Sequence, residues 1–175
     1  MTVDEYLAWA EARPGRYEFY AGAVYAMAPE RAGRAEAKYA IQTALLAAIR
    51  RAGLPCHMLP DGMTVRVDQD TAHEPDALVY CGEKLPSSAV EAPNPIIVVE
   101  VLSPSTRHID ASAKLAGYFR IASVKHYLIV DPDKRLAIHH ARAERDLIAT
   151  RVVGGGALRL DPPGIEISVG DLFQV

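Results

Sequence analysis

The sequence predicts a mixed α/β fold in which helices flank a central mixed sheet and hairpins lie at the periphery. Pro95–Leu102 is a nearly continuous apolar run rich in β-branched residues, which is typical of a central strand buried on both faces. A helical pattern then runs to about Ala122, and Lys125–Asp131 is a second apolar strand. Strand, helix and strand in this order predict two adjacent parallel strands with a right-handed crossover.

Length and composition indicate one ordinary globular domain, residues 1–175. Half of the residues are apolar and 23% are charged. No run is long enough to span a bilayer, and the N-terminus lacks the features of a signal peptide, so we expect a cytoplasmic protein with no membrane partner. The net charge of −3 argues against a protein that coats nucleic acid through bulk charge, although a local basic groove remains compatible with it.

Cysteine and histidine spacing gives no sign of a metal site. Cys56 and Cys81 have 24 residues between them, which is neither a metal-binding spacing nor a disulfide framework, so we expect both to be small apolar fillers. The six histidines also lack ligand spacing, and no role is assigned to them.

Hydrophobic periodicity places the elements of the first half of the chain. A short amphipathic helix is predicted before Pro14-Gly15, then a hairpin around Ala21-Gly22, and then a long helix. Two short strands follow around a turn at Asp61-Gly62, and another begins at Pro75. The predicted bounds are Val3–Ala12 for the first helix, Arg16–Tyr20 and Ala23–Met27 for the hairpin, Arg34–Arg51 for the long helix, and Cys56–Leu59, Met63–Val67 and Pro75–Tyr80 for the strands.

The second half is predicted to contain one helix and several hairpins. Ser105 or Thr106 is the expected N-cap of the helix between the two apolar strands. After Asp131, which is expected to be a strand-end turn residue, Arg135–Ala141 pairs back as a hairpin. Leu147–Val153 and Ala157–Leu160 are expected to form another hairpin across the three glycines 154–156.

Charged residues stand out at three places in this pattern. Glu100 interrupts the central strand, where a carboxylate is costly unless it is compensated, and Asp76 begins the preceding strand. Lys114 projects from the following helix. Two acids and a lysine at one end of a sheet suit metal-dependent phosphodiester cleavage, although ion pairs, strand-start hydrogen bonds and a surface Asp110–Lys114 pair are the structural alternatives.

Two further charged groups have structural explanations. Glu18 lies on the predicted hairpin, where a solvent-facing position would account for it. Arg31, Arg34 and Lys38 gather near the start of the long helix; they could contact phosphates, but we expect a solvated face.

These motifs resemble a known family. Pro75-Asp76 followed by Glu100-Val101-Leu102 resembles the PD-(D/E)XK nuclease superfamily, and a longer string resembles the Uma-two-type restriction endonucleases more closely. That string comprises Tyr17-Glu18 with Gly22, Pro75-Asp76, Glu100 to Thr106, Asp110, Lys114, Tyr118 and Tyr127 to Pro132.

The resemblance implies a restriction-endonuclease-like core with a sheet of four or five strands. It implies that Asp76, Glu100 and the backbone carbonyl of Val101 bind Mg²⁺ or Mn²⁺, and that Glu18 is a further catalytic acid. Leu102 stands where the superfamily has a lysine, and Lys114 is expected to replace it, with Asp110 as a helper that orients it. Family members often carry a His after the Met-x-Pro segment; here there is none, and Arg34 or Glu36 is the candidate replacement.

Three functions are compatible with these residues. The first is a Mg²⁺-dependent DNA endonuclease, in which a lysine orients or deprotonates the attacking water. The second is a nuclease-fold nucleic-acid-binding or regulatory protein with little or no turnover. The third is a metal-dependent hydrolase of another phosphoester or small molecule. A homodimer is expected for the first, because cutting both strands of a duplex needs two sites.

Overall fold

The computed structural model describes residues 1–102 and 111–174. Within these ranges the helices are α1 (Val3–Glu11), α2 (Ala32–Ala52) and α3 (Ala111–Arg120). The strands in the same ranges are β1 (Tyr17–Tyr20), β2 (Ala23–Ala26), β3 (Cys56–Pro60), β4 (Val65–Arg66), β5 (Ala72–His73), β6 (Ala77–Cys81), β7 (Ile97–Val101), β8 (His126–Asp131), β9 (Leu136–Arg142), β10 (Ile148–Val153), β11 (Ala157–Leu160) and β12 (Ile165–Ser168). Short 3-10 turns cover Glu144–Asp146 and Val169–Phe173. None of the described helices is long and apolar enough to cross a membrane.

The central sheet is mixed, as predicted. In the described part of the chain it has six strands in the order β10-β9-β8-β7-β6-β3, which is more than the four or five expected. β7 and β8 run parallel, with Val99 opposite Leu128, and their neighbours are antiparallel. Both parallel strands are buried along their whole length, as their continuous apolar sequences indicate. The α/β class is therefore confirmed.

Helices cover the two faces of this sheet, and strand alternation decides which residue meets which helix. Val99 and Val101 of β7 pack in the cluster that contains Ile41 and Leu45 of α2. Val98 packs in the opposite cluster with Tyr118 of α3. Because successive side chains point to opposite faces of a strand, residue 100 lies on the α3 face.

Local signals explain where the helices begin and end. Thr2 and Glu5 form a capping box at the start of α1. Gly53, with φ of 63°, ends α2 in the left-handed conformation. The predicted N-terminal hairpin is β1–β2, and it belongs to a smaller sheet of order β2-β1-β5-β4. The predicted N-cap of α3, Ser105 or Thr106, lies outside the described residues.

Two strand pairings differ from expectation. β10 does not pair with β11; it pairs with β9 at the edge of the central sheet, and β11 pairs with β12. β3 and β4 flank the predicted turn but join different sheets, since β3 pairs with β6 and β4 with β5. The glycines and turn residues mark where the chain reverses, but partner choice depends on apolar faces that remote segments supply.

The cysteines are also different from the prediction. Cys56 and Cys81 form a disulfide, so the expectation that they are only apolar fillers is wrong. They lie directly opposite each other in the antiparallel β3–β6 pair. Their separation in sequence gives no information about this register, which is why their spacing did not reveal the bond.

Buried histidines link the central sheet to the C-terminal segment. Arg151 donates to His139 Nδ1 at 3.3 Å, His139 and His126 share a hydrogen bond of 2.9 Å, and His126 Nε2 lies 2.9 Å from the carbonyl oxygen of Pro162. With Nε2–H donating from each ring, every contact has one donor and one acceptor, so both rings are neutral. Burial lowers the pKa of His139 to about 4, and His126, Arg151 and His140 add to the effect.

These hydrogen-bonded histidines predict that acid lowers the free energy of unfolding. The pKa of an unfolded histidine is about 6.5, so the unfolded state binds the proton first and stability falls between about pH 6.5 and 4. We expect His139→Gln, which keeps hydrogen-bonding groups but cannot titrate, to flatten this dependence. Each proton contributes at most about 1.4 kcal/mol per pH unit. Urea unfolding of both proteins from about pH 7 to about pH 5 would measure it, and parallel curves would contradict the prediction.

Candidate active site

The candidate site lies where β7 ends, beside a cavity of about 660 Å³. The β1–β2 hairpin, the start of α2, the end of β7 and α3 contribute to its wall. The charged residues of that wall include Glu18, Arg34, Glu100 and Lys114. Residues far apart in the sequence therefore meet around one space, as expected for a binding site in a concave surface.

Glu100 is held by two donors from α3. Lys114 Nζ lies 2.9 Å from Glu100 Oε1, and the Tyr118 hydroxyl donates to the same oxygen at 2.8 Å. Lys114 also donates to Glu18 Oε1 at 2.7 Å. The structure thus brings together three of the predicted site residues, Glu18, Glu100 and Lys114, and adds Tyr118, which belongs to the motifs of the family resemblance but had no assigned role.

Burial and neighbouring charges together determine the protonation states of Lys114, Glu100 and Tyr118. Burial lowers the pKa of Lys114, but the carboxylates of Glu100 and Glu18 outweigh it, so the pKa is raised above its ordinary value. Burial raises the pKa of Glu100, while Lys114 opposes the shift and Asp76 adds to it. Burial also raises the pKa of Tyr118 well above its ordinary value. Lys114 is therefore a permanent cation and Tyr118 a permanent hydrogen-bond donor at neutral pH.

Asp76 lies immediately before β6, with its side chain turned toward α2. Its Oδ2 accepts from the Val101 backbone N–H at 2.7 Å, which places the carboxylate next to the residue that follows Glu100. Arg34 donates to both oxygens, at 2.9 and 3.1 Å, and Lys38 Nζ lies 2.9 Å from Oδ1. The side chain of Asp76 is 2% exposed, so these charges meet away from water.

Arg34 and Lys38 do not form the solvated face that we expected. The side chain of Lys38 is only 4% exposed, and it also contacts Asp61 and Glu30. Burial lowers the pKa of Lys38, but Asp76 and the other acids raise it further than that. A sequence signal existed: Lys38 precedes Ile41 by three residues and Leu45 by seven, so it lies on the buried stripe of α2.

Other predicted residues are placed as follows. Leu102 is half-buried and packs in the cluster with Tyr118, and both Leu102 and Val101 line the cavity. Asp131 accepts from the Lys134 backbone N–H, consistent with a strand-end turn. Asp110, the expected helper of Lys114, lies outside the described residues.

The carboxylate oxygens of Asp76 and Glu100 and the backbone carbonyl of Val101 are chemically suited to a hard divalent cation, because Mg²⁺ and Mn²⁺ prefer carboxylates and carbonyls. Glu100 Oε2 accepts none of the hydrogen bonds among described residues, so it is the oxygen best placed to serve as a ligand. Asp76 is different, since Arg34, Lys38 and Val101 engage both of its oxygens. Among residues 1–102 and 111–174, no three His, Cys, Asp or Glu side chains lie close enough together to hold a metal ion as they stand.

Comparison with known proteins places this chain in a family. Residues 3–170 match the model of Uma2, described as "Putative restriction endonuclease", and the chain belongs to this family. An uncharacterized protein of Synechocystis sp., slr1290, is 23% identical over 176 residues, which cover 99% of this chain and 92% of the relative.

A solved structure shares the fold. It is the crystal structure of a protein from Anabaena variabilis ATCC 29413 described as a putative nuclease belonging to DUF820. The TM-score is 0.76 at 15% sequence identity, and the match covers 99% of this chain and 97% of the other. The predicted fold is thereby supported, and the predicted Uma-two-type family is confirmed by the match over residues 3–170.

The buried ion pairs of Asp76 predict a large loss of stability when it is neutralised. Asp76→Asn leaves Arg34 and Lys38 without their shared counter-charge, which should lower the free energy of unfolding by about 3 kcal/mol. Glu166→Gln is the matched control, because it makes the same chemical change at an exposed position on β12. Urea unfolding would measure both. An Asp76→Asn protein as stable as the control would contradict the buried ion pairs.

Proposed function

We propose that this protein is a divalent-metal-dependent nuclease that hydrolyses phosphodiester bonds of DNA. The observation that carries the proposal is the meeting of Glu18, Glu100 and Lys114 at the cavity wall, with Asp76 hydrogen-bonded to the adjacent Val101. Membership of the Uma2 family, whose description names restriction endonucleases, and the fold of a protein described as a nuclease support it.

Mg²⁺ or Mn²⁺ would be held by Glu100, Asp76 and the backbone carbonyl of Val101. When bound, such an ion polarises a phosphoryl oxygen and lowers the pKa of a coordinated water. Because Arg34 and Lys38 neutralise Asp76, metal binding at that carboxylate would compete with both side chains. Glu100, whose second oxygen accepts no hydrogen bond from a described residue, is the ligand that needs the least rearrangement.

Lys114 acts in this proposal as a charged donor. Glu100 and Glu18 raise its pKa and favour the protonated form, which can orient the attacking water and stabilise developing charge. It donates to the carboxylates of Glu18 and Glu100, and the Tyr118 hydroxyl donates to Glu100 as well. A non-bridging phosphate oxygen that enters the cavity would meet the cation of Lys114.

A second candidate function is nucleic-acid binding without turnover. The full engagement of Asp76 by Arg34 and Lys38 favours it, because those cations already stand where a metal ion would be needed. Such a protein would bind nucleic acid with or without metal and would cleave none.

Cleavage assays separate the two functions. Purified protein would be incubated with plasmid, linear duplex and single-stranded DNA and with RNA, with Mg²⁺, with Mn²⁺ and with chelator. We expect cleavage that chelator abolishes and that Glu100→Gln lowers on the order of 100-fold, because one of the few charged groups at the reacting phosphate is lost. Binding without cleavage under all conditions would favour the second function.

Controls guard against misfolding and contamination. Glu166→Gln should cleave like the wild type, and urea unfolding should show that Glu100→Gln is folded under the assay conditions. Calorimetric titration with Mn²⁺ gives a readout independent of cleavage, and it should weaken in Glu100→Gln. Cleavage that survives both chelator and Glu100→Gln comes from a contaminant and would leave the nuclease proposal without support.

For a duplex substrate, we propose a homodimer, because a two-fold symmetric pair supplies one site for each strand. Light scattering during size-exclusion chromatography would measure the mass in solution.

A further inference from the structure

Tyr25 is an aromatic residue of the cavity wall that the proposed chemistry does not use. It lies on β2 directly opposite Glu18 of β1, so the two side chains share one face of the hairpin. Tyr25 lines the cavity and is nonetheless 54% exposed. An exposed tyrosine beside a charged site offers a flat apolar face to whatever enters it.

The segment after Tyr25 continues this apolar wall. Ala26, Met27, Ala28 and Pro29 all line the cavity, and they bring no charge to that side. Glu18, Glu100 and Lys114 line the same cavity and are charged. The cavity thus offers both an apolar surface and a polar, charged one, which matches the two parts of a nucleotide, its base and its phosphate.

Arg31 supplies a cation that is not committed elsewhere. It precedes α2, lines the cavity and is exposed. Arg34 and Lys114, by contrast, are each paired with carboxylates. Among the described residues Arg31 forms no ion pair, so its guanidinium can meet a phosphate without first giving up a partner.

We infer that the cavity binds one unpaired nucleotide, with its base stacked on Tyr25 and a neighbouring phosphate on Arg31. The inference rests on the proposed nuclease function and narrows its substrate to single-stranded or locally unpaired nucleic acid. Inside an intact duplex both faces of a base are covered by its neighbours, so a base can stack on a protein ring only after it leaves the helix.

The volume of the cavity agrees with this occupant. About 660 Å³ lies within the range of small-ligand pockets, so the cavity has room for a single nucleotide unit. Aromatic stacking is tolerant of sequence, because every base has a flat face. Tyr25 therefore distinguishes single-stranded from double-stranded nucleic acid more than it distinguishes one base from another.

Binding measurements without turnover test the inference. Fluorescence anisotropy would follow a labelled, short single-stranded DNA oligonucleotide and the corresponding blunt duplex, with chelator present to prevent cleavage. We expect the single strand to bind more tightly than the duplex. Tyr25→Ala should weaken single-strand binding about ten-fold, and Tyr25→Phe, which keeps the ring, should restore it.

Matched variants separate stacking and phosphate contact from general surface effects. Tyr39→Ala removes a tyrosine of similar exposure on α2 outside the cavity lining and should change nothing. Arg31→Gln should reduce the slope of log affinity against log salt by about 0.7, the value of one phosphate contact on a single strand. Arg50→Gln, at the other end of α2, should leave that slope unchanged.

The outcomes distinguish this inference from the function on which it rests. Duplex binding as tight as single-strand binding, or equal effects of Tyr25→Ala and Tyr39→Ala, would overturn the inference while metal-dependent cleavage could still stand. Failure to bind or cleave any nucleic acid would remove both.

Discussion

The carboxylate of Asp76 is the constraint on which the site depends. It accepts the Val101 N–H at the end of β7, while Arg34 and Lys38 reach it from α2. A carboxylate that is 2% exposed is stable only when cations and donors replace the lost water. Asp76 therefore joins the start of β6, the end of β7 and the first turns of α2, and the last two of these segments contribute to the cavity wall.

The position of Lys114 follows from strand alternation. Residue 102 shares a face with Glu100, and a lysine there would reach the acid along the same strand; Leu102 instead fills part of the core beside Tyr118. α3 covers that same face, so a lysine on it meets Glu100 from above at 2.9 Å. A lysine can therefore pair with Glu100 from position 102 or from position 114, because both positions lie on the same face of the sheet.

The charge balance of the site residues bears on both the nuclease proposal and its alternative. Among the described residues, Asp76 is paired with Arg34 and Lys38, while Glu100 and Glu18 share Lys114. Among the described residues that line the cavity, five are acids and three are cations, so the site carries net negative charge by itself. A divalent cation would add positive charge that an anionic phosphodiester could balance, so metal and substrate would be expected to favour each other's binding. In a protein that never binds metal, these ion pairs would instead serve only to hold the segments of the fold together.

The sequence by itself determined the βαβ unit of β7, α3 and β8, because long apolar runs and helical periodicity are local properties. It also indicated Asp76, Glu100 and Lys114 as residues at one end of a sheet, from their places on those elements. Only the tertiary structure decided that the ammonium group of Lys38 pairs with Asp76, that Cys56 is bonded to Cys81, and that β10 pairs with β9. Each of these depends on which remote segments become neighbours, and that choice is made by packing and register, which no local pattern encodes.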